Sequence, residues 1–156
     1  MLKQLARLTL EADGRFASDE ELTFLDGYLD SVELRLQAYA TVRDNDEAIL
    51  NWVEEEKRPM KEDWFHMNGR DITDICRRDL STMLRNAADA MLLDDLDRLR
   101  DGLLLWDQTI VRAFGYTAYA NLNYKLLQNA VKAFLSPEEA ALIVPAIQLE
   151  HAILSA

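Results

Sequence analysis

The chain is predicted to be all-α. Its apolar residues recur at intervals of three and four rather than alternating, and polar capping residues mark several helix starts. Only 5 Gly and 3 Pro interrupt its 156 residues. No stretch reads as a convincing strand, so the whole chain is taken as helix and tight turn. Folding at this length buries roughly 70% of the surface exposed by the unfolded chain, enough for one domain over 1–156 without staples. Residues 1–17 form an N-terminal helix and turn, and 18–156 form the core body.

In chain order, a short helix spans about 2–13. The next, at 18–43, opens on Ser18 with Glu21, where the serine hydroxyl caps a backbone N–H and the acid reaches back. Its stripe of Leu22, Leu25, Leu29, Val32, Leu36 and Tyr39 predicts a core-facing side. Burial of Leu29 would make Leu29→Ala cost roughly 2–5 kcal/mol. Asp44 with Glu47 predicts a third start and a helix at 45–57. Pro59, Asn68 and Gly69 then break the pattern, giving a packed loop from Arg58 to Arg70 anchored by Trp64, Phe65 and Met67.

A helix at 71–92 carries Ile72, Ile75, Leu80, Met83, Ala87 and Met91 on one side, with Met83 and Ala87 expected in the core alongside Leu25, Leu29 and Val32. Asp94-Asp95-Leu96-Asp97 supplies the negative start of a helix at 94–114. Further helices follow at 117–134 and 137–154. The last opens on Ser136 with Glu139 and has Pro137 at its first position, where a missing N–H costs nothing. Pro145 lies inside it and predicts a kink.

The formal net charge of −11 argues against nucleic acid or an anionic surface as partner. The densest basic stretch, Arg77-Arg78 with Arg85, is interleaved with Asp74, Asp79 and Asp89 and reads as ion pairing. Glu54-Glu55-Glu56 reads as a solvated helix face. The start lacks the order of a signal peptide, and no apolar run approaches the ~20 residues of a transmembrane segment, so a cytoplasmic location is expected. There is no phosphate loop, nucleophile elbow or His-rich metal spacing, and no catalysis is predicted. Cys76 is alone, so it either packs as a small apolar side chain or reacts with something outside the chain.

Three separated blocks carry a resemblance. Cys76-Arg77-Arg78-Asp79 followed by Leu84-Arg85 is one; Glu11, Arg15, Phe16, Ser18, Glu21 and Leu22 are the second. Leu135-Ser136-Pro137-Glu138-Glu139-Ala140-Ala141 is the third. In order and spacing they resemble the phycobiliproteins of the phycobilisome family over essentially the full length. The resemblance implies a globin-like fold with a short N-terminal helical extension. It also implies a cofactor, a linear tetrapyrrole of the phycocyanobilin type, in a pocket between the 71–92 and 94–114 helices. Cys76 would form the thioether, Arg78 would clamp a propionate, and Asp79 would accept the pyrrole N–H groups. Cys76 and Asp79, three residues apart, share a helix face. The bland alternative is a packed Cys76 with Arg78 paired to Asp74.

The resemblance further implies pairing with a second copy or a related subunit through the N-terminal helix, with Glu11 and Arg85 as the meeting charges. Residues typically aromatic in the family are Thr82, Met83, Asp89, Ala146 and Leu149 here, so the pigment surroundings are expected to be poor in flat side chains. Two roles follow: a pigment-binding protein of light harvesting or pigment supply at the phycobilisome, or an unpigmented globin resembling those associated with bilin biosynthesis. Haem is disfavoured, because it takes an axial ligand, commonly His, and the 94–114 helix has none; His66 and His151 lie elsewhere.

Overall fold

The computed structural model describes residues 1–156 and is helical almost throughout. Its helices are α1 (Leu2–Glu11), α2 (Asp19–Asp44), α3 (Asp46–Lys57), α4 (Thr73–Leu93), α5 (Leu96–Leu99), α6 (Leu105–Phe114), α7 (Thr117–Phe134) and α8 (Pro137–Leu154). The capping boxes at Ser18/Glu21 and Ser136/Glu139 are both formed. Arg15 grips Glu21 through hydrogen bonds of 2.7 and 2.8 Å. That bond and the Ser18 backbone N–H hold the Glu21 carboxyl down to about 2.

The expected start at Asp44 is not used. Asn45 both ends α2 and opens α3 without a side-chain cap, while Asp44 pairs with Arg43 at 2.8 Å. The loop from Arg58 to Arg70 also holds more order than expected. His66–Met67 (β1) and Arg70–Asp71 (β2) form a minimal antiparallel hairpin. Asn68 and Gly69 turn it, both at positive φ, as a two-residue hairpin turn requires. Tyr119 donates to the His66 carbonyl at 2.8 Å and ties the hairpin to α7.

The expected single helix at 94–114 is divided. Asp94, at φ 49°, stops α4, and Asp95 caps α5 by accepting from the Arg98 N–H at 3.1 Å. A π-helical segment, Arg100–Leu104, then leads into α6. The C-terminus of α4 is clasped from α2: Tyr28 donates to the Leu92 carbonyl at 3.0 Å, and Arg35 reaches the Met91 carbonyl and the Asp94 carboxylate. The start of α1 is tethered to the same corner, Lys3 pairing with Asp97 at 3.1 Å. α8 runs through Pro145 as one helix. Pro145 and Ala141, whose carbonyl loses its donor, are both exposed, so water can replace the missing bond.

The core lies among α3, α4, α7 and α8, with Ile49, Leu84, Met91, Leu127, Ile143 and Ile147 at its centre. From α2 only Ala38 and Val42 are buried. The burial expected for the α2 stripe is therefore wrong: Leu29 is 61% exposed, Leu36 is exposed, and Leu25 and Val32 are half-buried. Tyr28 and Arg35 turn towards α4, whereas Leu29 and Leu36, on the overhanging side of α2, meet solvent. Met83 and Ala87 are buried as expected. Glu54 departs from the solvated-face reading, since it is half-buried and binds Arg77 at 2.7 Å, joining α3 to α4. No helix is long and apolar enough to cross a membrane.

Candidate functional site

Helical spacing places Ile75, Cys76, Asp79, Thr82 and Met83 on one side of α4, with Arg78 on the flank. This side forms one wall of an open pocket of about 380 Å³. Leu103, Trp106, Asp107, Ile110 and Val111 come from the π segment and α6 opposite. α7 closes the third side with Tyr116, Tyr119, Ala120, Asn123 and Tyr124. Ligand pockets measure ~300–1,000 Å³, and this space falls inside that range while opening to solvent at one side.

Cys76, Arg78 and Asp79 line this one pocket. Cys76 is half-buried, and burial pushes its thiol up; the Lys57 ammonium opposes that rise and Asp79 adds to it. Arg78 pairs with Asp79 at 3.2 Å, not with Asp74, and both side chains are mostly exposed at the mouth. An exposed pair of this kind is worth little, so either partner is free to be recruited. Glu11 and Arg85 are not brought together within the chain. Glu11 holds Arg7 at 2.7 Å, while the Arg85 guanidinium meets only the Thr82 hydroxyl, at 3.3 Å. His66 pairs with Asp63 and His151 with Asn121, each at 2.9 Å, and neither lines the pocket.

The expectation of a site poor in flat side chains is corrected by α6 and α7. Trp106, Tyr116, Tyr119 and Tyr124 all face the pocket. Tyr116 and Tyr119 meet edge to face at 6.1 Å, and Tyr119 meets Trp64 likewise at 5.2 Å, which fixes the Tyr119 ring. Of the substituted positions, only Thr82 and Met83 lie on the pocket wall. Ala146 is in the core, Leu149 packs against it, and Asp89 lines a separate surface hollow.

Asp107 is the other residue the sequence reading passed over. It is half-buried among apolar side chains, and burial, with the charge of Asp79, raises its carboxyl. Tyr124, buried beside it, has its hydroxyl pushed far up by burial, with Glu150, Asp107 and Asp79 adding. The interior thus has a negative bias, and Arg78 at the mouth is the cation that lines it.

A thiol, an exposed guanidinium–carboxylate pair at the rim, a second carboxylate and several aromatic faces meet in this pocket. No curated relative matches the chain. A family model described as Phycobilisome protein does match, over residues 8–154. Nearly the whole chain is covered by that match, and the all-α, globin-like body with its short N-terminal helix agrees with it. The chain belongs to the phycobilisome protein family.

Proposed function

We propose that the protein binds a linear tetrapyrrole in this pocket and acts in photosynthetic light harvesting or its pigment supply, at the phycobilisome. One observation carries the reading: the thiol and the ionic groups of α4 face an aromatic wall across one open pocket. When bound, the pigment supplies absorption of visible light. Cys76 anchors it by a thioether. Arg78 leaves Asp79 to hold a propionate, and Asp79 then accepts pyrrole N–H groups. Asp107 adds a second carboxylate that favours the protonated, cationic form. Trp106 and the tyrosines restrict the ligand's torsions and exclude water. The protein acts by binding rather than by catalysis.

A second copy or a related subunit pairs with it across the overhang of α1 and α2. Leu10 and Phe16 are 79% and 98% exposed there, and Leu29 and Leu36 are exposed along α2. Several large apolar side chains left in solvent on α1, the following turn and α2 support an interaction face here. Arg85, which has no carboxylate partner in its own chain, is available to an acid of the partner.

The test is incubation with phycocyanobilin and a bilin lyase, then denaturing electrophoresis with zinc-enhanced fluorescence. Wild type should fluoresce and Cys76→Ala should not. If both stay dark beside a labelled control subunit, covalent attachment is refuted. The unpigmented reading, which draws on Thr82 and Met83 where relatives carry tyrosines, then takes its place. A bilin titration of wild type against Asp79→Ala separates noncovalent binding from none.

A further inference from the structure

Cys76 also lines a second, much smaller cavity between α3, α4 and the segment carrying Trp64, with room for about one water. Lys57, the last residue of α3, forms part of its wall and is only 5% exposed. Its ammonium makes no hydrogen bond and no ion pair in the chain. Glu54, the carboxylate in the same wall, is already engaged by Arg77 at 2.7 Å. The Trp64 indole N–H, also in this wall, is buried without an acceptor. Two donors without a protein partner, one of them charged, therefore share this wall with the one thiol. An ammonium left with little access to water is disfavoured, as the lowering of Lys57 by burial reflects, and an anion formed next to it offsets that cost.

We propose that Lys57 is a positioning residue that stabilises Cys76 as a thiolate while it adds to an electron-poor alkene. The identity of the natural alkene, the exocyclic double bond of a linear tetrapyrrole, rests on the pigment reading above. In the step, the Sγ–H proton leaves to water and the sulfur pair forms a C–S bond. The alkene pair shifts to the neighbouring carbon, which takes one proton from water. Protons balance and no oxidant or reductant is needed. The groups facing the thiol are Lys57 and Glu54 from α3, Arg77 and Asp79 from α4, and Tyr119 from α7. Arg77 is held by both Glu54 and Glu47, and Lys57 is the cation that offsets burial and Asp79 at the thiol.

The test uses no pigment. Alkylation of Cys76 by iodoacetamide is followed from pH 6 to 10.5 in the intact wild type, Lys57→Met and Lys57→Arg, each checked for helical signal. Lys57→Met should move the thiol pKa up by about one unit and slow alkylation about tenfold at pH 7. Lys57→Arg, which keeps the cation, should stay within about threefold of wild type, and all three should coincide in denaturant. If Lys57→Met does not fold, Lys57→Gln takes its place in the same comparison. A neutral variant with the wild-type profile overturns the proposal, as does a folded Lys57→Arg that reacts as slowly as the neutral variant. A dark pigment assay with the pKa shift intact would refute only the pigment reading, and the reverse outcome would refute only the role of Lys57.

Discussion

Replacing Glu150 by glutamine should make the protein more stable at neutral pH, and the gain should grow with pH. Glu150 is on the inner side of α8, fully buried, and neither carboxyl oxygen meets a donor within the chain. Burial, with the charge of Asp107, raises its carboxyl well above the ordinary 4.5. The folded chain therefore binds a proton that the unfolded chain releases, so this group's contribution is fully present below pH 4.5 and is lost as pH rises towards the folded-state value. Each pH unit in that window costs wild type about 1.4 kcal/mol. Glutamine has the same shape and does not titrate. Denaturant unfolding of both proteins at half-unit steps from pH 4.5 to 7, with the difference plotted against pH, isolates this one group, because the other carboxylates are common to both. The expected difference climbs by about 1.4 kcal/mol per unit, or about 2–4 °C in melting temperature. Any fixed cost of the glutamine amide shifts the line without tilting it. A difference that stays flat with pH would refute the reasoning, since it would mean that Glu150 is either charged in both states or hydrogen-bonded in the folded one.

Leu29→Ala should change the stability of the isolated chain by no more than about 0.5 kcal/mol, whereas Leu127→Ala, at a fully buried position, should cost about 2–5 kcal/mol. Urea unfolding of the two variants side by side measures the contrast, and equal costs would mean that the α2 face is covered in the single chain. Sedimentation of Leu29→Ala should show weakened association compared with wild type. Ser136→Ala removes the side chain that accepts from the Glu139 N–H at 3.2 Å, and should cost about 1 kcal/mol in the same unfolding assay.

The parts of the fold legible in the sequence are those written in local chemistry. Ser136-Pro137-Glu138-Glu139 sets the start of α8 to the residue, because cap, fixed φ and returning acid act within one turn. Asp44 and Asn45 are both good capping types one position apart, and only the packing of α3 against α4 and α7 chooses between them. Asn68-Gly69 is a hairpin signal that was present, but with strands of two residues no alternation could develop around it. The π segment leaves no mark at all, since it changes the backbone register and not the apolar pattern. The α2 stripe shows a different limit. Periodicity reveals that a helix has an apolar side, and says nothing about what covers it; Leu29 and Leu36 satisfy the pattern and still face outward.

The same limit decides how much of the pocket could be read. Its α4 wall lies within one stretch of helix, where spacing puts Cys76 and Asp79 on one face and the family resemblance assigns them, with Arg78, to a pocket. Its other walls come from Leu103 to Val111 and from Tyr116 to Tyr124, where spacings of three and four look like any core-facing stripe. A stripe that packs on a neighbour and a stripe that lines a cavity have the same period. What distinguishes them is a charge on the apolar side, because burying it is costly without a compensating partner or function. Asp107 interrupts Leu103, Ile110 and Val111; Lys57 continues Ile49 and Val53; Glu150 stands between Ile147 and Leu154. Each of these is in or beside the pocket system, and each has its charged form disfavoured by burial. The sequence therefore held a pointer to the rest of the site in its charges that fall on the wrong face, a pattern the family motif around Cys76 does not include.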